Sequence, residues 1–386
     1  MSRTTVAPTN RSLLCVDTDV RILFIVLFLI AIGVSMVASS SSFFAGGKFS
    51  DHFALTRRHI VRSAVSLIVL VLAMRIDYRI YRKISPMLLA FGVALMVGLF
   101  FFGHTVRGSQ RWMLLPVLRM SVQPSDIARI TLIFFLAYWI TRTGRQFTEF
   151  RSGFLPAAGA VAVVCGLIAI TPDYGTASVT ALIALIVMFV GGARMLHLLG
   201  FMAAGTVVLA MKMATAPHVR ERIAAYMSRG ENVTDVNWQV YQSLIGLGSG
   251  GLFGVGVGDS EQKLSWLPDA YTDFVFSILG EETGLIGTLF VSGLFLLFAL
   301  RALKISRNCD DTFGEMLVVG IGSSIFVYAM LNMFVATGLV PVTGLPLPFL
   351  SSGGSALVVN AFAVGVLLNV ARKRTRTRTG REAVPA

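Results

Sequence analysis

Residues 262–284 read QKLSWLPDAYTDFVFSILGEETG. A polar, proline-broken approach turns here into an apolar helix, and Asp259, Glu261, Asp269 and Asp273 gather at its entrance. Charge at the edge of a bilayer is costly unless the group faces a cavity, pairs with a partner or does chemistry. Glu281 and Glu282 follow on the expected helix, about 12 Å deeper than Asp273 at the α-helical rise. A helix cap or an ion pair would explain any one of these acids. Asp269, Asp273, Glu281 and Glu282 together fall within fourteen residues, more than capping requires. Asp273, near the first turn, is the candidate catalytic base, and the rest of the chain is expected to build a membrane-embedded groove around it.

Composition sets the solvent. Of 386 residues, 55% are hydrophobic and 14% charged, and the mean hydropathy is +0.75, which excludes an ordinary soluble domain. The apolar runs have the roughly 17 to 25 residues that a helix needs to cross a hydrocarbon core of about 30 Å. Alternating strands of transmembrane length are missing from the sequence, which argues against a barrel. The fold class is therefore an all-α polytopic membrane protein with about ten transmembrane helices. They are placed at roughly 20–40, 60–74, 85–103, 126–141, 154–171, 176–191, 195–214, 272–300, 314–337 and 349–371. The first run, Ile22 to Val37, is followed by no small-residue cleavage site and reads as a retained span.

A net charge of +13 would suggest nucleic acid in a soluble protein. Here the basic residues sit in alternate loops, as expected of cytoplasmic segments, so no nucleic-acid partner is inferred. Arg75 to Lys83, Arg142 to Arg151, Arg301 to Arg307 and the run from Arg372 to Arg381 all mark one side. Both termini then lie on that side, which the positive-inside bias makes the cytoplasm. The expected organisation is a tail at 1–19, a membrane domain at 20–371 and a basic, disordered tail at 372–386. A large exterior loop at 217–271, between spans seven and eight, is too long to be a mere connector. The three cysteines, Cys15, Cys165 and Cys309, fall in a tail, a span and a cytoplasmic loop, so no disulfide framework is implied.

Exterior arginines run against the positive-inside bias and make an anionic ligand worth suspecting. Arg57, Arg58, Arg107 and Arg111 are the candidates, since guanidinium forks suit phosphate oxygens; Trp112 is either an interface anchor or a sugar-stacking ring. In QPSDIAR, residues 123–129, Pro124 and Ser125 start a helix, and Asp126 suits its positive end or pairs with Arg129 below the membrane surface. The glycine-rich stretch Gly246–Gly258 has no strand before it and no Lys-Ser/Thr pair, so it is not a nucleotide loop. Close packing through Gly246, Gly250, Gly254 and Gly258 is the simpler account, with a phosphate-binding backbone nest as the other. The stretch PVTGLPLPFLSSGGS, residues 341–355, is extended by its prolines. It brings Ser351 and Ser352 to the groove wall, because non-helical backbone at membrane depth must line a cavity or be covered.

These stretches together resemble the SEDS family of bacterial cell-wall proteins (FtsW, RodA, SpoVE). The resemblance is carried by Arg111-Trp112, QPSDIAR, TPDYGTA at 171–177, YQSLIGLGSGGLFGVGVGDSEQKLSWLP at 241–268, TDF at 272–274, GEETG at 280–284 and PVTGLPLPFLSSGGSAL at 341–357. Gln262-Lys263 and the acids of GEETG lean toward the FtsW branch. Three motifs depart from the family pattern, at four positions: Tyr271 where His is usual, Asp126 and Arg129 where Glu and Lys are usual, and Ser352 where Tyr is usual. The resemblance implies a lipid II polymerase that makes the glycan strands of peptidoglycan in cell division. Its partners would be lipid II, the nascent glycan strand, a class B penicillin-binding protein acting as transpeptidase, and other divisome membrane proteins. It also implies that Asp273, the aspartate of TDF, is catalytic.

Joining sugars in a β-1,4 link from an α-linked diphosphate inverts the anomeric carbon and needs a base on the acceptor hydroxyl. The leaving diphosphate would be held by the exterior arginines, with Asp126, Arg129, Gln262, Lys263, Ser351 and Ser352 as further contacts, or by a divalent cation, Mg or Mn. No HExxH or Cys/His cluster indicates a structural transition metal. Two other classes stay open at this level: a lipid II flippase, and a non-catalytic scaffold for the transpeptidase.

Overall fold

The computed structural model describes residues 19–48, 54–106, 109–115, 120–215, 235–263, 266–267 and 270–382, together with 220, 224, 226 and 227. The tail at 1–18 and much of the 217–234 segment therefore lie outside the described residues, as do Arg107 and Asp269.

Eleven α-helices make up the described chain. They are α1 Val20–Lys48, α2 Ala54–Arg75, α3 Tyr78–Phe102, α4 Pro124–Thr143, α5 Leu155–Ile170 and α6 Tyr174–Val190, followed by α7 Met195–Thr215, α8 Asp235–Ser249, α9 Val275–Arg307, α10 Thr312–Ala336 and α11 Gly354–Glu382. Among the described residues, seven segments are long and apolar enough to cross a membrane: Val20–Ser39, Tyr78–Phe102, Phe150–Ile170, Met195–Ala214, Val275–Arg307, Thr312–Ala336 and Gly354–Arg372. The protein is a multi-pass membrane protein. α6 is a shorter apolar helix, while α2 and α4 carry their charges, Arg58, Arg62, Asp126 and Arg129, inside the helix.

Helix ends differ from the hydropathy reading at several places: α1 runs on to Lys48, α2 and α3 begin early, at Ala54 and Tyr78, and α9 runs on to Arg307. α9 begins at Val275, not 272, so Asp273 sits in the preceding turn. α11 begins at Gly354, because residues 341–353 stay extended or turned. Its backbone continues to Glu382, through the segment expected to be a disordered tail. The loop after α3 also folds unexpectedly, into three short antiparallel strands: β1 His104–Val106, β2 Ser109–Leu115 and β3 Met120–Val122. Trp112 pairs with His104 and Met113 with Val122. Alternation over so few residues is too faint a signal to read beside long apolar runs.

The core is continuous through the bundle, and α10 occupies its middle, packing against α9, α4 and α6. Tyr81, Phe134 and Phe362 meet ring to ring across α3, α4 and α11, with centroids 5.1 to 6.2 Å apart. α11 lies along α2. α1 comes so close to residues 349–350 that a Cβ at Gly33 would fall 2.5 Å from the Phe349 carbonyl. Only a glycine lets the two backbones touch there. At the opposite extreme α7, among the described residues, packs on α6 and on the rings of Phe150 and Phe154, and leaves Val207, Val208 and Met211 exposed.

α9 is interrupted. Gly284 has φ 67° and ψ −165°, which breaks the helical ladder inside a membrane-length segment. The freed backbone groups need partners, since none come from lipid. The glycine-rich stretch supplies them: Val255 and Gly256 donate N–H to the carbonyls of Glu281 (3.0 Å) and Glu282 (3.2 Å). In return Leu285 and Ile286 donate to the carbonyls of Gly251 (2.9 Å) and Leu252 (3.3 Å). Contact is so close that a Cβ at Gly250 or Gly254 would lie 2.1 Å from a carbonyl oxygen of α9. The packing role expected of Gly246, Gly250, Gly254 and Gly258 is realised against backbone at Gly250 and Gly254 and against the Gln262 side chain at Gly246, while Gly258 faces open space.

Candidate active site

Asp273 is half-buried in the turn leading into α9. Below it Leu267, Ala270, Phe274, Ile278 and Val335 form a small apolar cluster that seats the turn. The side-chain amide of Asn332 on α10 donates to the Asp273 carbonyl and to the Leu345 carbonyl, both at 2.8 Å. One residue of α10 therefore ties the turn to the proline-rich segment. That segment closes over the acid: the Ser352 N–H donates to the Tyr271 carbonyl at 3.0 Å. Gly344, at φ +70°, faces the carboxylate so closely that a Cβ there would lie 3.6 Å from Asp273 Oδ2.

Ser351 and Ser352 serve this wall from within. Ser351 Oγ accepts the Leu347 N–H at 2.8 Å and is buried, so it shapes the turn. Ser352 contributes its backbone: its carbonyl accepts from Arg62 Nη1 at 3.3 Å. Gly354 makes room for that arginine, since a Cβ there would come within 3.2 Å of the guanidinium carbon. Arg62 lies one helical turn beyond Arg58 on α2, and both Arg57 and Arg58 are exposed. Sequence reading missed Arg62 and Asn332. Each carried a signal, an extra cation on the Arg58 face and an amide inside an apolar run.

A second polar group runs inward from the same end. Arg111, on β2, pairs with Asp173 at 3.6 Å and donates to the Pro172 carbonyl. Asp173 caps α6 by accepting the Thr176 N–H at 3.3 Å, and its other oxygen accepts from Gln123 Nε2 at 3.2 Å. Ser355 Oγ accepts the Gln123 N–H and donates to Asp126, each at 3.1 Å. Asp126 meets Arg129 at 3.5 Å. The Arg129 fork also reaches Ser324 and Asn360, and lies 4.2 Å from the Tyr328 ring centre. At 1% exposure Arg129 is enclosed on every side. Asp126 and Arg129 thus hold α4, α10 and α11 together, and the diphosphate contacts expected of them are not where the geometry puts their polar atoms. Trp112 is half-buried on β2 beside Arg111.

Gln262 and Lys263 belong to a third group. Glu281 accepts from Ser260 Oγ and from the backbone N–H of Glu261 (3.0 Å) and Gln262 (3.3 Å). Lys263 lies 3.6 Å from Glu282 and donates to the Gly258 carbonyl, while Ser39 on α1 also donates to Glu282. The two glutamates therefore clamp the glycine-rich loop onto the α9 break. This corrects the sequence reading of four acids converging on one lip. An acid two helical turns into α9 faces the loop that fills the break and is buried there.

Among the described residues no three His, Cys, Asp or Glu side chains gather into a metal-holding group.

The sequence model of the FtsW/RodA/SpoVE family, described as "Cell cycle protein", matches residues 20–376. The chain belongs to the FtsW/RodA/SpoVE family. It is 37% identical over 371 residues to the probable peptidoglycan glycosyltransferase FtsW of Trichlorobacter lovleyi, covering 95% of this chain and 97% of that protein. It is also 37% identical over 356 residues to stage V sporulation protein E of Bacillus subtilis, covering 92% and 96%. Among solved structures it is similar to a chain from "Structural coordination of polymerization and crosslinking by a peptidoglycan synthase complex", at TM-score 0.75 and 25% identity over 93% of this chain and 99% of that one. The rod shape determining protein RodA of Thermus thermophilus superposes with TM-score 0.68 at 25% identity, over 92% and 97%. The FtsW/RodA/SpoVE fold thus accounts for nearly the whole chain.

Proposed function

We propose that this chain is a peptidoglycan glycosyltransferase that polymerises lipid II, with Asp273 as its base. The observation that carries the assignment is the Asp273 turn: its backbone is fixed from α10 and from residues 341–353, and its carboxylate is half-buried against Gly344. Relatives named as peptidoglycan glycosyltransferases support the reaction class. In the step, the acceptor sugar hydroxyl attacks the anomeric carbon of the donor from the face opposite the diphosphate. The new C–O bond forms as the C–O bond to phosphate breaks, the electron pair leaves with the polyprenyl diphosphate, and the hydroxyl proton passes to Asp273. Arg57 and Arg58 are exposed beside Arg62 on the α2 segment facing residues 352–354, and they would hold the departing charge.

The loop-rich end, with the strands, residues 171–175 and the Asp273 turn, is the exterior face in this reading. Both termini lie in the cytoplasm, ten helices span the inner membrane, and a class B transpeptidase is the partner that crosslinks the product. The test is purified full-length protein in liposomes with lipid II. The unmodified chain should form glycan polymer without needing transbilayer movement of substrate, which separates a polymerase from a flippase. Asp273→Asn should bind lipid II and form no polymer; full polymer yield from that variant would remove Asp273 from the chemistry.

A further inference from the structure

At the other end of α9 from Asp273, an open cavity of about 530 Å³ is lined by Arg79, Arg82, Lys83, Tyr138 and Asp311. Its volume lies in the usual range for small-ligand sites. Arg79, Arg82 and Lys83 stand three and four residues apart in the first turns of α3, so they share one helix face. Asp311 is the single acid among these five residues, and it is already employed: Oδ2 accepts the Gly314 N–H at 3.2 Å as the cap of α10. Arg82 and Lys83 make no hydrogen bond or ion pair among the described residues and are exposed. On the facing wall Tyr138 accepts a hydrogen bond from Arg142 Nη1 at 3.0 Å, which leaves the phenol proton to donate elsewhere. The cavity therefore presents an excess of cationic donors and one neutral donor.

What lies next to it narrows the ligand. Continuing along the same face of α3, one and two turns beyond Lys83, come Met87, 72% exposed, and Phe91, 54% exposed. A cationic hollow at the membrane surface thus opens directly onto an apolar stripe that enters the bilayer. Soluble phosphates match the first feature only. An anionic phospholipid matches both.

We propose that this cavity binds the headgroup of an anionic phospholipid, with the phosphate on Arg79, Arg82 and Lys83 and the acyl chains along Met87 and Phe91. The site lies at the opposite end of α9 from Asp273, so it stands or falls independently of the polymerase reading.

Native mass spectrometry of the full-length protein in mild detergent tests it, with phosphatidylglycerol, phosphatidylcholine and inorganic phosphate as separate probes. The double variant Arg82→Gln/Lys83→Gln is compared with Lys304→Gln/Arg307→Gln, which neutralises two exposed cations at the same end outside the cavity. Phosphatidylglycerol should bind the unmodified protein with preference over phosphatidylcholine. The cavity variant should weaken that binding about tenfold or more, from roughly 1 kcal/mol per surface cation, and the control by less than about twofold. Equal weakening in both variants would mean diffuse attraction and overturn the site. So would binding of inorganic phosphate, sensitive to the cavity variant, without binding of phosphatidylglycerol, since the ligand would then be a soluble anion. A thermal melt of each variant confirms folding. Should the double variant fail it, Met87→Asn tests the acyl path alone and should lower phosphatidylglycerol retention without affecting phosphate.

Discussion

Two acids of this protein, Asp126 and Asp273, stand near the same end of the bundle and are held in opposite ways. Asp126 is buried, and its oxygens are spent on Arg129 and Ser355 within a chain of side chains that runs back to Arg111. Asp273 is fixed through its backbone, by Asn332 and by the Tyr271–Ser352 contact next to it, and its carboxylate is half-buried beside a glycine. The contrast separates structure from chemistry. In the proposed reaction the first acid does the work of packing, and the second, half-buried on an immobilised main chain, acts on the substrate.

The comparison is tested most severely at Asp273 itself. Asp273→Asn should lower polymerisation by about 10²- to 10⁴-fold, the usual worth of a general base, while leaving thermal stability in detergent nearly unchanged. Asp126→Ala should do the reverse. It strands the enclosed Arg129 charge and should cost about 3–5 kcal/mol of stability, read as a lower unfolding midpoint, and Asp126→Ala/Arg129→Met should recover part of that loss. Gly254→Ala probes the α9 break: the residue has φ +84° and its Cβ would meet the Glu282 carbonyl at 2.1 Å. Left-handed strain alone costs about 1–3 kcal/mol, and hydrogen exchange at the Val255 and Gly256 amides should speed up. The smallest effect belongs to Gly344→Ala. Its Cβ would be in ordinary contact with Asp273 Oδ2 at 3.6 Å, but φ +70° is unfavourable for alanine. Turnover should fall only several-fold, through displacement of about 1 kcal/mol, and substrate binding should hold.

Hydropathy made most of the helices legible, because length and apolarity are properties of each segment alone. What it could not show depended on neighbours. GEETG reads as continuous helix, and only the arrival of Gly251–Gly256 at that depth makes a break at Gly284 affordable. Glu281 and Glu282 looked like companions of Asp273 because spacing along a chain says nothing of which way a clamp closes. The Asp126–Arg129 pairing was readable from its spacing of three on one helix. Its enclosure was not, since Ser324, Tyr328 and Asn360 come from two distant helices. The start of α9 lies three residues later than hydropathy places it, a small difference that moves Asp273 from the helix into the turn before it.

The contact between Gly33 and Phe349 joins the first described helix to one of the last described turns. During synthesis α1 must therefore wait, with a bare glycine notch, for a loop translated more than three hundred residues later. The wall over Asp273 is finished only when that late loop drops into place. A ribosome product truncated before it would carry the aspartate without the Ser352 and Gly344 backbone that surrounds its turn.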